Sequence, residues 1–350
     1  MKADYKKILI IKPSSLGDII HALPVAGALR KGFGNAKISW LIRDDFAPIL
    51  NNHPSVHEVI LFKRKLLSKA WYNPKAVAAL LQLINHLRRQ NFDVVIDLQG
   101  LFRTASLSLL SGAKESFGMA GAREFAHFFY NHKVSQNTES IHVVDYYLKI
   151  AQEAGADIST VEFALPNNRD ADRDVKNLLS ASGVDARNYA VFVPMSRHRN
   201  KCWPTEKFAA LAEKIYRDFK LDIIATGTKA EINSVQRLVE IADAPVVNLA
   251  GKTDLLQLTA LMRNAKLVIA NDTGPAHIAA AANVGLVIIF GVSNPARVGP
   301  YKRPQSIAAR EPFGRGLEVK SSNPAYNIEL ITVEEVYEKA ARQLKQAPLS

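Results

Sequence analysis

The sequence predicts an α/β protein made of two Rossmann-like domains, each built on a doubly wound parallel sheet. Short apolar runs of strand length alternate with helical patterns along the 350 residues. These runs are apolar almost throughout, which is typical of parallel strands covered on both faces by helices. A polar stretch at residues 166–170 separates two such series. We therefore expect two domains of similar size, a common arrangement for a chain of this length.

In the first half, the apolar runs predict strands at residues 8–12, 37–42, 58–62 and 93–98, and the patterns between them predict helices at 19–31, 46–51 and 74–90. The last of these helices has apolar residues about 3.6 positions apart, which indicates one apolar face. The residues of that face are Val77, Leu80, Leu81, Ile84 and Leu87.

In the second half, strands are predicted at residues 190–194, 222–226, 246–249, 267–270 and 286–290, and helices at 205–219, 230–242, 255–264 and 276–282. Thr332 and Glu335 fit a capping box that opens a last helix ending near residue 346.

These elements predict domains at residues 1–165 and 166–330. The segment 331–350 is a C-terminal helix for which packing back towards the first domain is one option. Ligands of doubly wound sheets bind at the carboxyl ends of the strands. We therefore expect the two sheets to face a central cleft that holds the functional site.

Composition restricts the class of protein. The net charge of +12 indicates an anionic partner, which could be nucleic acid, an anionic membrane or a phosphorylated substrate. The sequence has no zinc finger, aromatic RNA-binding signature or long basic arm, which disfavours nucleic acid. The single cysteine, Cys202, excludes an internal disulfide framework and a cysteine-based zinc site. The first strand is too short for a signal peptide or a spanning helix, so we expect a cytoplasmic protein.

The strongest chemical signal is the stretch at residues 271–277, which follows a buried strand and opens a helix with Pro275 in its first turn. Free N–H groups and the helix dipole converge there on a point suited to phosphate. The residues expected to hold that phosphate are Thr273, Gly274, Ala276 and His277. Asp272 either binds backbone N–H groups of its own turn or binds the sugar hydroxyls of a donor.

The loop after the first strand of the second half is basic. Charges at this position cost free energy unless an anion offsets them. One interpretation is that Ser196 and Lys201 grip a diphosphate, with Lys201 stabilising the leaving nucleotide. The alternative is a solvated basic loop. Glu231, after the next strand, either holds a ribose or is a surface residue at a helix start.

Polar residues also follow the strands of the first half. Asp18 begins the helix after the first strand, where it either caps that helix or faces the cleft as a general base. Asp97 ends another strand and is expected to orient its loop, while Gln99 is a candidate for substrate binding. The basic residues Lys63, Arg64, Lys65 and Arg123 are either a solvated face or a surface for an acidic acceptor.

Together these motifs resemble the lipopolysaccharide heptosyltransferases of glycosyltransferase family 9. The resemblance covers most of the chain and is carried by residues 12–21, 97–105, 122–130, Ser196 with 201–204, and 272–277. The Ser-Ser-Leu-Gly-Asp and Asp-Leu-Gln-Gly forms are most like those of the heptosyltransferase I members.

The resemblance implies a GT-B fold in which the first domain binds the acceptor and the second binds the nucleotide sugar. It implies transfer, with inversion, of L-glycero-D-manno-heptose from ADP-heptose to Kdo of Kdo-lipid A, without a catalytic metal or other cofactor. Asp18 matches the family's base, Lys201 its phosphate-binding lysine and Asp272 its donor-binding aspartate. The implied acceptor contacts are Lys12, Ser14, Ser15, Lys63, Arg64, Lys65, Gln99 and Arg123.

The acceptor also implies a location. Kdo-lipid A is anionic and lies in a membrane, so a basic protein would bind peripherally to the cytoplasmic face of the inner membrane. The sequence departs from the family at Tyr146, where an Arg is expected. Because Tyr cannot make the bidentate contact that Arg makes with a carboxylate, this departure affects the acceptor site.

Three alternatives stay open at this point. The first is another family 9 enzyme of the lipopolysaccharide core, similar to heptosyltransferase II or III. The second is a non-catalytic module that binds a nucleotide sugar. The third is a dinucleotide-dependent oxidoreductase, which the missing G-x-G-x-x-G fingerprint disfavours.

Overall fold

The structure is a computed structural model that describes residues 4–136 and 139–346. Contacts within the chain divide it into two compact units, Met1–Pro166 and Asn167–Ser350.

The first unit is built on a parallel sheet. Its strands are β1 (Lys7–Ile11), β2 (Lys37–Arg43), β3 (Glu58–Phe62), β4 (Val94–Asp97), β5 (Glu115–Met119) and β6 (His132–Val134). Its helices are α1 (Leu16–Gly32), α2 (Arg64–Leu67), α3 (Pro74–Gln90), α4 (Phe102–Leu110) and α5 (Val143–Glu153). The strands lie in the order β3-β2-β1-β4-β5-β6, which is the doubly wound order of dinucleotide-binding folds.

The core of this unit covers both faces of the sheet. Leu9, Ile11 and Val95 pack on one face against α3. Helix α3 turns most of its predicted face inward, because Leu87 is buried and Leu80 and Ile84 pack against the core. Val77 and Leu81 are exposed, which corrects the prediction for these two positions.

The second unit repeats this architecture. Its strands are β7 (Tyr189–Val193), β8 (Asp222–Ala225), β9 (Val246–Asn248), β10 (Leu267–Asn271), β11 (Gly285–Phe290) and β12 (Ile307–Ala309). Its helices are α6 (Arg169–Ala181), α7 (Thr205–Phe219), α8 (Ile232–Ile241), α9 (Leu255–Arg263), α10 (Gly274–Ala281), α11 (Pro295–Val298) and α12 (Val333–Gln346). The sheet order β9-β8-β7-β10-β11-β12 matches that of the first unit. Helix α12 packs against α7 and β11 of the second unit. That this helix also packs back towards the first domain stays a prediction.

The predicted α/β class with doubly wound parallel sheets is confirmed. Some boundaries differ from the sequence prediction. The helix predicted at 46–51 is a 3-10 helix, Asp44–Leu50. Helix α1 begins two residues before Asp18, so Ser15 is its N-cap. Helix α6 begins inside the predicted linker, with Asn168 as its N-cap.

Candidate active site

In both sheets the strand order reverses at one point, between β1 and β4 in the first unit and between β7 and β10 in the second. The connections diverge there, so each reversal opens a crevice at the carboxyl ends of the strands. The predicted residues Asp18 and Gln99 follow β1 and β4, and Lys201 and Asp272 follow β7 and β10. Each reversal point therefore carries one half of the predicted site.

Asp18 occupies the third position of α1, where its carboxylate belongs to a capping box. Its Oδ2 accepts hydrogen bonds from the backbone N of Ser15 at 3.0 Å and from the Ser15 hydroxyl at 2.6 Å. These bonds satisfy helix-terminal donors and fix the orientation of the carboxylate at the carboxyl end of β1. Asp18 stays partly exposed. Capping and proton acceptance are thus compatible roles for this residue.

Lys12 and Asp97 lie buried beneath this edge of the sheet. Lys12 donates to the carbonyl of Leu98 at 2.9 Å, and its burial lowers the pKa of the ammonium. Asp97 accepts from the Tyr130 hydroxyl at 2.7 Å and from the backbone N of Gln99 at 2.8 Å, while burial raises the pKa of its carboxyl. The prediction that Asp97 orients its loop is confirmed. The buried position of Lys12 suits support of these loops better than direct contact with an acceptor.

A small pocket of about 100 Å³ opens above these loops in the first unit. Gln99 closes one side, since its Oε1 accepts from the backbone N of Ser14 at 3.3 Å. Three arginines line it, Arg43, Arg64 and Arg103. Guanidinium groups bind carboxylate and phosphate in bidentate fashion, so the pocket suits an anion.

Two of these arginines are not among the residues predicted from the sequence. Arg43 ends β2, its Nη2 pairs with Asp45, and its buried Nε has no hydrogen-bond partner among the described residues. Arg103 lies in the first turn of α4. Both positions are at the same edge of the sheet as Asp18. A search for basic residues just beyond every predicted strand would have found Arg43.

The other predicted acceptor residues lie along the same edge. Lys63 and Lys65 are exposed on either side of Arg64 at the start of α2. Arg123 is exposed, and its backbone N donates to the carbonyl of Gly100 at 3.1 Å, next to the β4 loop. The structure thus brings these side chains to one edge, and their contact with an acceptor stays a prediction.

Tyr146 is a buried structural residue. Its hydroxyl donates to the carbonyl of Val134 at 2.8 Å and so ties α5 to β6. Tyr146 therefore makes a contact within the first unit, and the effect on the acceptor site of the missing Arg stays a prediction.

In the second unit, Lys201 and Asp272 form a largely buried ion pair. Lys201 Nζ lies 2.5 Å from Asp272 Oδ2, and the two side chains are 15% and 7% exposed. His277 Nε2 lies 3.4 Å from the other carboxylate oxygen. Burial opposes ionisation, but the hydrogen bond with His277 and the charge of Lys201 outweigh it and hold the pKa of Asp272 well below its ordinary 3.8.

Asn271 holds this pair in position. Its side chain is fully buried, donates to the carbonyl of Pro194 at 2.7 Å and accepts from the backbone N of Trp203 at 3.0 Å. The loop between β7 and α7 is therefore fastened at both ends to the end of β10. This contact, which the sequence did not reveal, sets Lys201 against Asp272.

Helix α10 starts immediately after Asp272. Thr273 is its N-cap, and the buried Thr273 Oγ1 has no hydrogen-bond partner within the described residues. The first backbone N–H groups of a helix also lack partners within the helix. The hydroxyl and the amides of Gly274 and Ala276 thus form a set of donors next to Asp272, the partner of Lys201, as a phosphate site requires. The amide of His277, predicted as a further donor, lies one turn into the helix, where it bonds the N-cap carbonyl.

Two further donor-site predictions have weaker geometric support. Ser196 is half-buried in the β7–α7 loop. The Glu231 carboxylate accepts from the backbone N of Thr228 at 2.7 Å in a capping box. That bond fits the alternative of a helix-start residue, and its contact with a ribose stays a prediction.

The two sheets, each with its polar reversal point, define a two-domain α/β protein of the Rossmann-like, doubly wound class. A family model described as glycosyltransferase family 9 (heptosyltransferase) matches residues 80–327. The chain therefore belongs to glycosyltransferase family 9 and is a glycosyltransferase.

Similar proteins agree with this assignment. Lipopolysaccharide heptosyltransferase 1 of Escherichia coli O18:K1:H7 is 28% identical over 96% of this chain and 99% of its own length. Lipopolysaccharide heptosyltransferase 3 of Escherichia coli is 28% identical over 79% of this chain and 81% of its own.

Solved structures share the fold over nearly the whole chain. A family 9 glycosyl transferase from Veillonella parvula DSM 2008 has a TM-score of 0.84 at 22% identity and covers 99% of both chains. E. coli heptosyltransferase WaaC, solved with ADP-2-deoxy-2-fluoro heptose, has a TM-score of 0.76 at 25% identity and covers 96% of this chain and 99% of its own. The predicted GT-B fold class is confirmed.

Proposed function

We propose that this protein transfers L-glycero-D-manno-heptose from ADP-heptose to Kdo of Kdo-lipid A, with inversion, at the cytoplasmic face of the inner membrane. The near full-length match to heptosyltransferase 1 supports the heptose and the lipopolysaccharide acceptor. The neighbour solved with an ADP-heptose analogue supports the donor. Among residues 4–136 and 139–346 no helix is long and apolar enough to cross a membrane.

The observation that carries the donor half is the Lys201–Asp272 pair beside the start of α10. The donor diphosphate would accept hydrogen bonds from Lys201, from the Thr273 hydroxyl and from the α10 amides. Asp272 would accept hydrogen bonds from hydroxyls of the heptose. As the bond between the anomeric carbon and the phosphate oxygen breaks, negative charge grows on ADP, and the cation and the helix dipole stabilise it.

The acceptor half rests on Asp18. Its carboxylate would take the proton of the acceptor hydroxyl while that oxygen forms a bond with the anomeric carbon. Attack on the side opposite the departing ADP inverts the configuration of that carbon. The arginine pocket and Arg123 would hold the carboxylates of the acidic acceptor.

The test is a product assay with ADP-heptose and Kdo-lipid A. Wild-type protein should form the heptosylated product, with no loss of activity in EDTA. Asp18→Asn retains an oxygen for the capping box but is a poor base, so turnover should fall by roughly 10²- to 10⁴-fold while ADP affinity stays within about twofold.

Asp93→Asn is the matched control. Asp93 also accepts from backbone amides, those of Lys6 and Lys7, but it lies at the amino end of the sheet. Its variant should keep wild-type turnover per folded molecule. Near-wild-type turnover of Asp18→Asn would remove Asp18 from the role of base.

A second candidate is a core heptosyltransferase that uses a different acceptor position. The similarity to heptosyltransferase 3 favours it. Turnover with a heptosylated core acceptor, and none with Kdo-lipid A, would select this function instead.

A further inference from the structure

Exposed aromatic rings project from the first unit beyond the carboxyl ends of its strands. Trp71, after β3 and α2, is 85% exposed, and Tyr72 beside it is 57% exposed. Phe125 and Phe128, after β5, are 74% and 69% exposed. Because the sheet is parallel, these segments share the edge that carries Asp18. We name Trp71, Tyr72, Phe102, Phe125 and Phe128 the aromatic rim.

The loop after β5 is built to display its rings. Glu124 and Phe125 both have left-handed backbones, with φ of 56° and 59°, a conformation that is uncommon for residues other than glycine. The Glu124 carboxylate accepts from the backbone N of Phe102 at 3.1 Å and so fastens the loop to the start of α4. The rings of Phe125 and Phe128 stack with centroids 6.4 Å apart. The loop thus holds large apolar side chains outward at a conformational cost.

Basic side chains surround the rim. Lys63, Arg64, Lys65 and Lys69 precede Trp71, and Arg103, Arg123 and Lys133 accompany the phenylalanines. Lys133 Nζ lies 5.7 Å from the centre of the Phe128 ring. The only carboxylate in residues 63–72, 101–104 and 121–134 is Glu124, which is already bonded to Phe102. This surface is therefore complementary to a partner that is both apolar and anionic.

We propose that the aromatic rim is the surface by which the protein docks on an anionic phospholipid bilayer. Aromatic rings partition to the boundary between headgroups and acyl chains, and nearby Lys and Arg bind the anionic surface. This inference rests on the proposed function for its purpose, since docking at this edge brings a membrane-bound acceptor to Asp18.

The test uses the full chain and vesicles of phosphatidylglycerol and phosphatidylethanolamine without acceptor. The chain has three tryptophans, and Trp40 and Trp203 are buried. Quenching by brominated lipid therefore reports insertion of Trp71. We expect quenching with anionic vesicles, loss of that signal in Trp71→Phe, and at least tenfold weaker binding to phosphatidylcholine vesicles or at high salt.

The double variant Phe125→Ser/Phe128→Ser should bind anionic vesicles about tenfold more weakly or worse. Its turnover on a deacylated, water-soluble acceptor should stay at the wild-type value. The matched control is Phe313→Ser, a loop phenylalanine of the second unit that is 61% exposed, and its vesicle binding should not change.

Several outcomes would overturn the proposal. The first is that wild-type protein does not bind anionic vesicles, which would indicate a surface for a protein partner. The second is that the double variant binds vesicles as wild type does. The third is that the double variant loses turnover equally on the soluble acceptor, which would place the rings in the acceptor site. Vesicle binding without any heptose transfer by wild-type protein would instead reject the proposed function and leave the docking surface intact.

Discussion

Lys201 is the residue whose removal best separates a donor site from a structural ion pair. Its ammonium contacts Asp272, the residue before Thr273, whose buried hydroxyl has no hydrogen-bond partner in the part of the chain that the structure describes. We expect Lys201→Met to weaken binding of ADP-heptose by about ten- to a hundredfold, since a hydrogen bond to a charged group contributes about 1.5–3 kcal/mol. Isothermal titration measures this loss.

The control for this variant is Lys214→Met, which removes the exposed ion pair with Glu334 in the same unit. Exposed pairs contribute little, so donor affinity should not change. A Lys201→Met protein with unaltered affinity for ADP-heptose would show that the pair only supports the fold.

Asp272 makes the stability of the protein depend on pH in a defined direction. Its folded pKa lies below the ordinary value of 3.8, so its ionised form stabilises the fold above that value and the contribution is lost as pH falls through the folded pKa. Asp272→Asn should therefore be destabilised relative to wild type by a constant amount above about pH 5. The difference should shrink below about pH 4. Urea unfolding between pH 3 and 7 measures it, and a difference that grows on acidification would contradict the assigned shift.

At this scale, the predictable residues were those whose role follows from their position after a strand. Asp272 comes directly after one apolar run and Lys201 lies in the loop that follows another, so their position at the same edge of the sheet follows from parallel strand packing. Asn271 acts through partners distant in sequence, since it bonds Pro194 and Trp203, 77 and 68 positions away. Such contacts depend on the strand order, which the local pattern does not contain.

The end of β10 and the loop between β7 and α7 act as one element because Asn271 joins them. Asn271→Ala would leave the carbonyl of Pro194 and the backbone N of Trp203 buried without their partner. Each such group costs about 1–3 kcal/mol, so a loss of several kcal/mol of unfolding free energy is expected. Donor affinity should also fall, because Lys201 lies within the loosened loop.

Chemical denaturation and titration together test this element. Asn248→Ala is a suitable control, because Asn248 lies at the end of β9, its Nδ2 hydrogen bonds are exposed, and its bond from the backbone N of Ala250 is only partly buried. Loss of stability without loss of donor affinity would mean that the loop keeps Lys201 in place by other contacts.

Elements were predictable where burial makes a strand continuously apolar, as in β7, β10 and β11. The sequence did not predict β5 and β6. Gly118 in β5 lies under Tyr130, so close that a Cβ would fall 2.3 Å from the ring. Edge strand β6 is polar because little covers it. Neither strand has a continuous apolar run, because β5 packs closely under Tyr130 and β6 lies at an uncovered edge of the sheet. These contacts with distant segments cannot be predicted from the local sequence.

At the scale of the molecule, the sequence predicts two parallel sheets but not the order of their strands. The alternation of strands and helices requires crossovers, and the fully apolar runs require helices on both faces. The order β3-β2-β1-β4-β5-β6 and its repeat in the second unit depend on contacts between distant segments. That repeat places one reversal point in each unit, and the two points carry different side chains. The first has arginines near Asp18, and the second has the Lys201–Asp272 ion pair at the start of α10.

This division predicts that ADP alone acts on the second unit. Ligand bound only to the folded state stabilises it by about 2.7 kcal/mol at a hundredfold excess over Kd. Amide hydrogen exchange should therefore slow in residues 196–203 and 272–278 when ADP is added, while β1 to β6 keep their rates. In Lys201→Met the same ADP concentration should protect these segments less, because the ligand dissociates more readily. Protection that appears around residues 12–18 or 94–103 would instead place the nucleotide at the first unit and reverse the assignment of donor and acceptor halves.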